Sequence, residues 1–434
     1  MSGLLVASPM SGSGKTTFTL GLLRALRHRG VALAPGKAGP DYIDPAFHEA
    51  ASGESCLNFD PWGMRRELLR ANAAVSQSGG RLLIIEAMMG LFDGAADGSG
   101  SAAELAVELN LPVLFVVNCE KMSHSIAALV RGFSDHDPNV MIAGVVLNNV
   151  ASSRHESMLR AALDSIGIRV VAVLYRDDGL QVPERHLGLV QAAEHEALEQ
   201  FIEQAAALVA RNCDFDDLVS LASSLGATDA VSNIDRLPPP GQCVAVARDL
   251  AFAFCYEHML MGWKRRGAEI RLFSPLADEA PPAEANAIYL PGGYPELHAG
   301  TLSQAAAFKA GMVDAADRNI PVYGECGGYM VLGEGLVDAS GDRHAMLGLL
   351  PLTTSFERRK LHLGYRRLAP RPEFFWPMAL TAHEFHYASL VEEGRADRLF
   401  EVTDALGNRL EPAGLCHGSV SGSFMHVIDL AAAT

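Results

Sequence analysis

Two short stretches of this 434-residue chain carry residue types that could do chemistry. The first is SPMSGSGKTT (8–17), which holds Gly12, Gly14, Lys15 and Thr16 in the order of a phosphate-binding loop; Pro9 stands where the full GxxxxGK[ST] pattern has its first glycine. Gly12 and Gly14 would let backbone N–H groups turn toward phosphate oxygens, Lys15 would reach the terminal phosphates, and Thr16 would offer a hydroxyl to Mg2+. Ser13 and Thr17 complete the expected ATP-binding run. The second stretch is VYGECGGYMVL (322–332), a strand running through Gly-Glu-Cys-Gly-Gly into a helix, the sharp turn that presents a nucleophile. Cys326 is the residue so placed, and the glycines around it argue against a packed interior position. An ordinary thiol, with a pKa of about 8.5, is barely ionised at neutral pH and needs a helix N-terminus or a base. His426, in SGSFMHV (421–427), is the expected base.

Further groups suit the same two chemistries. Asp41 and Asp44 sit three apart in KAGPDYIDP (37–45), and Glu86 ends an apolar run in IIEAMMGLFDG (84–94), where a phosphate-loop protein places a Mg2+-associated carboxylate. Asn148, ending IAGVVLN, is a candidate for reading the base edge of a nucleotide. The Gly292–Gly293 pair of IYLPGGYPELH (288–298) would let a backbone N–H approach a developing oxyanion, with the N–H of Gly327 as second donor.

The elements that must position these residues alternate between strand and helix. Apolar runs at 3–8, 81–87, 112–118, 142–148 and 169–174 read as buried parallel strands, separated by helix-length stretches such as 15–30, which Gly30 would stop. This predicts an α/β fold, a doubly wound sheet. After a predicted helix over 192–211, three consecutive prolines (238–240) mark a linker, and a fresh αβ pattern begins at CVAVARD (243–249). The expected division is 1–235, a linker at 236–242, and 243–434. There is no internal repeat and no low-complexity segment.

Composition bounds the function classes. A formal net charge of -16 opposes general attraction to nucleic acid. The longest apolar runs fall short of the ~20 residues that span a bilayer, and the N-terminus reads as a strand, so a cytoplasmic protein is expected. Seven cysteines without CxxC pairs fit free thiols in a reducing compartment.

Taken together, SGSGKTT, KAGPDYIDP, MMGLFDG, VPERHLGLV (182–190), VAVARDLAFAFCYEHML (244–260), FSPLADE (273–279), PGGYPELHA, YGECGGYM, LHLGYR (361–366) and HEFHY (383–387) resemble the glutamine-dependent a,c-diamide synthases of corrinoid biosynthesis, which act on cobyrinic or hydrogenobyrinic acid. The resemblance runs over essentially the whole chain. It implies an N-terminal domain similar to dethiobiotin synthetase and a C-terminal class I glutamine amidotransferase domain of the cobyric acid synthase type. It also implies that MgATP phosphorylates a carboxylate of a tetrapyrrole polycarboxylate and that ammonia, released from L-glutamine at Cys326, displaces the phosphate. By the same analogy Asp41, Asp44 and Glu86 form the Mg2+ and phosphoryl-transfer set, and Tyr42, Ile43 and Asp93 lie nearer the macrocycle. Arg154, Arg176, Arg185 and His186 are candidates to receive its carboxylates, and a homodimer is compatible with the family. Hydrogenobyrinic acid is the preferred macrocycle.

One departure stands out. Many class I glutaminases place Glu two residues after the histidine, but Ile428 occupies that position, so a backbone carbonyl or Glu384 is left to orient His426. The rivals are cobyric acid synthase, which amidates other side chains of the same macrocycle, and a partitioning-type ATPase. The latter usually carries an extra lysine early in the loop, where this chain has Met10, and would not need Cys326.

Overall fold

The computed structural model describes residues 2–177, 180, 198–224 and 234–432. Arg185, His186, the VPERHLGLV stretch and the first residues (192–197) of the predicted 192–211 helix lie outside the described residues. The chain divides into two compact units, one of Met1–Trp62 with Arg66–Ile234 and one of Gly63–Arg65 with Asp235–Thr434.

In the first unit, seven parallel strands are β1 (Ser2–Ala7), β2 (Leu33–Ala38), β3 (Leu57–Phe59), β4 (Leu82–Glu86), β5 (Val113–Asn118), β6 (Ile142–Val150) and β7 (Val170–Tyr175). They lie in the order β3-β2-β4-β1-β5-β6-β7, with Ser223–Ser224 pairing antiparallel to β1. Runs such as LLVA in β1 and LLII in β4, ahead of Glu86, are apolar and buried because helices cover both faces of a doubly wound sheet. The carboxyl ends of β1, β2, β4 and β6 carry the phosphate loop, the Asp41–Asp44 loop, Glu86 and Asn148 to one edge. That edge is where ligands bind in open α/β sheets. Helix α1 (Lys15–His28) follows the loop directly and packs along the helix Leu198–Asn212. There the buried Arg24 donates to the carbonyls of Ala50 and Ala51 and pairs with Glu199 and Glu203.

The second unit holds a ten-stranded mixed sheet and a four-stranded one. The parallel strands Glu269–Phe273, Cys243–Ala247, Ala287–Leu290, Val322–Glu325 and Val420–Ser423 lie side by side in that order. The sheet continues through antiparallel strands Ala413–His417, Asp397–Asp404, His362–Pro370 and Leu380–His386, and ends with Met425–Leu430. His383 pairs in register with His426. All seven cysteines are free. No helix among the described residues is long and apolar enough to cross a membrane.

Candidate functional site

The phosphate loop is built by two left-handed glycines and a ring of hydroxyls. Gly12 (φ 76°) and Gly14 (φ 93°) adopt conformations that a side chain strains, and a Cβ on Gly14 would lie 2.0 Å from Asn148 Nδ2. Asn148 donates that nitrogen to Ser13 O at 2.9 Å, so it holds the loop itself. The hydroxyls of Ser8 and Ser13 both donate to Met10 O, and the carbonyl of Pro9 passes so close to Gly90 that a Cβ there would sit 2.6 Å away. Pro9 thus occupies a position braced by its neighbours rather than one that needs a glycine.

Lys15 is buried (7% exposed), and its ammonium donates to Ser8 Oγ at 2.9 Å and to Met89 O at 2.7 Å. Burial lowers its pKa from 10.5 to about 8, and Lys37 adds to the effect against the opposing pull of Glu86, Asp44 and Asp93. Thr16 donates its hydroxyl to Glu86 Oε1 at 2.7 Å.

The predicted acidic set is organised by a lysine and a histidine whose part the sequence reading missed. Lys37, 2% exposed on β2, places its ammonium 2.5 Å from Asp44 Oδ2, 3.0 Å from Glu86 Oε1 and 3.8 Å from Asp41 Oδ2. His48 Nε2 lies 2.8 Å from Glu86 Oε2. Burial works against a charged Glu86, but Lys37, His48 and Thr16 outweigh it and hold the carboxyl well below its ordinary range. Asp41 accepts from the backbone N–H groups of Ile43 and Asp44, and burial together with Asp44 pushes its pKa up to about 6. Among the described residues, the His/Cys/Asp/Glu group whose ligand atoms all lie within 4.8 Å of one another is His362, Glu384 and His386, not the Asp41, Asp44 and Glu86 set. Hard oxygens from Thr16, Asp41, Asp44 and Glu86 still fit Mg2+: both aspartates stay about a fifth to a quarter exposed, and three carboxylates against Lys37 leave negative charge for a divalent ion. Of the residues assigned nearer the macrocycle, Ile43 is buried, Tyr42 is half-buried, and the exposed Asp93 accepts from the N–H of Gly90. Arg154 is exposed, and Arg176, also exposed, lies 3.6 Å from Glu120.

In the second unit Cys326 has φ 47° and ψ -102°, a strained conformation for a residue with a side chain, at the start of the helix Gly327–Leu332. The expectation that flanking glycines keep the thiol out of the interior is corrected: Cys326 is 3% exposed. The glycines serve close approach instead. A Cβ on Gly328 would meet Leu290 O at 2.0 Å, one on Gly293 would meet Ala251 O at 2.1 Å, and one on Gly327 would meet Gly293 N at 3.0 Å. Gly292 lies between nucleophile and base, because a Cβ there would stand 3.3 Å from Cys326 Cβ and 2.4 Å from His426 Cε1. The three predicted oxyanion glycines and both predicted catalytic residues therefore converge. Gly292→Ala should displace the His426 ring and cut glutamine hydrolysis by about 100-fold or more, while amidation driven by added ammonia stays at the wild-type rate. Comparing the two rates of the purified variant checks this.

His426 is fully buried, and burial, then His383 and His386, lower its pKa to about 3, so it rests as the neutral ring a base requires. Burial, then Glu296, push the Cys326 thiol far up, so the resting pair is neutral. Glu384 is held elsewhere: Arg366 donates to its Oε2 at 2.6 and 2.9 Å, and His386 Nε2 lies 3.2 Å from its Oε1.

Comparison with known proteins extends these geometries to a family. Residues 4–190 match the CobQ/CobB/MinD/ParA nucleotide binding domain, and residues 243–433 match the CobB/CobQ-like glutamine amidotransferase domain. A hydrogenobyrinate a,c-diamide synthase from Sinorhizobium sp is 63% identical over 433 residues, covering 100% of each chain. One from Brucella anthropi is 61% identical over 430 residues, covering 99% of each, and one from Rhodobacter capsulatus is 49% identical over 433 residues, covering 98% of each. With both domain models in order along a chain matched from end to end, this protein belongs to the hydrogenobyrinate a,c-diamide synthase family.

Proposed function

We propose that this chain uses MgATP and glutamine to convert the a and c side-chain carboxylates of hydrogenobyrinic acid into amides, within the cytoplasm. The observation that carries the reading is the pairing, in one chain, of a lysine–threonine phosphate loop beside clustered acids with an elbow cysteine that shares Gly292 with a histidine. Full-length relatives bearing the synthase name support the choice of macrocycle. The division of labour follows 1–235 for the ATP-dependent step, 236–242 as linker and 243–434 for glutamine hydrolysis.

A carboxylate is a poor acyl donor, because its leaving group would be oxide. In the proposed first step a carboxylate oxygen of the macrocycle attacks the γ-phosphorus of ATP, and ADP leaves. Lys15 and the loop N–H groups hold the phosphates, Asn148 stands at the nucleotide, and Thr16, Asp41, Asp44 and Glu86 would hold Mg2+, which supplies charge to the phosphate oxygens. Tyr42, Ile43 and Asp93 are assigned to the macrocycle side. In the glutaminase half, Cys326 attacks the glutamine side-chain amide while His426 takes the thiol proton. The N–H groups of the 292–293 stretch and of Gly327 receive the oxyanion, His426 returns the proton to departing ammonia, and water then hydrolyses the glutamyl thioester, releasing glutamate and restoring the Cys326 thiol. Ammonia then attacks the acyl carbon, and phosphate leaves with one former carboxylate oxygen.

Two measurements test the reading. Incubation with ATP, glutamine and either the metal-free or the cobalt-containing macrocycle should give a doubly amidated product faster from the metal-free one, read by mass spectrometry. Substrate labelled with 18O in its carboxylates should pass label to inorganic phosphate; label-free phosphate would exclude the acyl phosphate.

A further inference from the structure

The absence of a carboxylate two residues after the base leaves the orientation of His426 without an owner in sequence terms. We propose that Glu325, the residue immediately before the nucleophile, is the carboxylate that positions His426. This rests on the assignment of Cys326 and His426 as nucleophile and base.

The geometry has three parts. Glu325 is 1% exposed at the end of the strand Val322–Glu325, and its Oε2 lies 3.9 Å from His426 Nδ1, the ring nitrogen that a positioning group must engage if Nε2 is to take a proton. The carboxylate is itself fixed: Tyr289 donates its hydroxyl to Oε2 at 2.8 Å, and the backbone N–H of Val427, next to the base, donates to Oε1 at 3.2 Å. Glu325 therefore ties the nucleophile's strand to the base's strand, with Oε2 facing the imidazole. Closing 3.9 Å to a hydrogen bond needs about 1 Å of ring movement, and catalytic hydrogen bonds commonly tighten only when substrate binds. The rival Glu384 is engaged by Arg366 and His386.

The chemistry follows from this placement. With its Nδ1–H donated to Glu325, His426 presents the Nε2 lone pair to the Cys326 thiol, takes its proton and becomes an imidazolium that faces a carboxylate. The proton then leaves Nε2 for ammonia. Burial pushes the Glu325 carboxyl up to about 8, with Tyr289, Tyr323 and the Val427 N–H partly offsetting it. The other ionisable groups around it are Cys255, Cys326 and His426. Its ionised form is needed, so glutamine hydrolysis should gain activity as pH rises through the ionisation of this coupled set.

Glu325→Gln keeps the shape but offers Nδ1 an N–H, which favours the wrong tautomer. Read as glutamate release, kcat should fall by about 1,000-fold with little change in glutamine KM, the alkaline gain should disappear, and ammonia-driven amidation should persist. Glu384→Gln should retain the alkaline gain. If Glu325→Gln hydrolyses glutamine with the wild-type kcat and pH profile, or if the gain vanishes in Glu384→Gln instead, the proposal is overturned. Should the Glu325 variant fail to fold, 15N NMR of the wild-type His426 ring, assigned with His426→Asn, decides: an Nδ1–H tautomer supports the proposal, and an Nε2–H tautomer overturns it. Because glutamate release is scored, failure here is distinct from failure of the macrocycle assignment.

Discussion

Cys326→Ala should abolish glutamine-driven amidation, with a loss of about 10,000-fold or more, and millimolar ammonium should restore the reaction without any glutamine. The asymmetry follows from what the residue does and where it lies. The thiol is the sole atom of Cys326 that can form an acyl bond to glutamine, whereas the phosphate loop and its acidic neighbours are built from β1, β2 and β4 of the other unit. Alanine removes one sulfur from a site that is 3% exposed, and it tolerates the φ of 47° no worse than cysteine, so the fold should survive. Parallel rate measurements with glutamine and with ammonium chloride check this. A variant that still used glutamine at the wild-type rate would remove Cys326 from the mechanism.

How much of this was legible before the structure depends on the range of the interactions. The phosphate loop reads directly from spacing, because a strand, two glycines, Lys15 and Thr16 are local. The buried strands β1, β4, β5, β6 and β7 read from continuous apolar runs. Strand β2 is not among the apolar runs: its sequence LAPGKA carries a proline without an N–H, a glycine and a lysine, yet it pairs with β4 and places Lys37 beside Glu86. That register is long-range, so neither Lys37 nor His48 could be joined to the acids from spacing alone. The signal available was a lysine at the fifth position of a fully buried strand, waiting for partners. Glu325 illustrates the same limit. It stands beside Cys326 in the chain, but its relation to His426 depends on Val427 and Tyr289, which come from two other strands. Burial of Cys326 misled for a different reason: glycines can admit backbone to close contact as easily as they can expose a side chain. Nor could any local pattern reveal that Gly63–Arg65 joins the second unit, where Arg65 pairs with the buried Asp429.

Lys15→Ala should cripple amidation with either nitrogen source, by about 1,000-fold, because both routes need the same phosphorylated carboxylate. The companion result separates chemistry from folding. In the free protein the Lys15 ammonium is buried, and the gap between its ordinary 10.5 and about 8 corresponds to roughly 3 kcal/mol by which burial disfavours the charged form. A lysine with a lowered folded pKa binds its proton less well folded than unfolded, so stability due to this group rises as pH climbs from about 8 toward 10.5 and the full penalty stands below about 8. Lys15→Met, which keeps an apolar stem without the charge, should therefore raise the thermal midpoint of the ligand-free protein at pH 7 while removing activity. The wild type should regain the difference when MgATP is added, since phosphate compensates the buried ammonium and the variant gains little. Above pH 8 the free protein loses that ammonium, so wild-type affinity for MgATP should weaken as pH rises. Calorimetric titrations at pH 7, 8 and 9, with thermal melts of both proteins, check each step; a variant less stable than wild type at pH 7 would show that Lys15 is held for the fold and not for the phosphate.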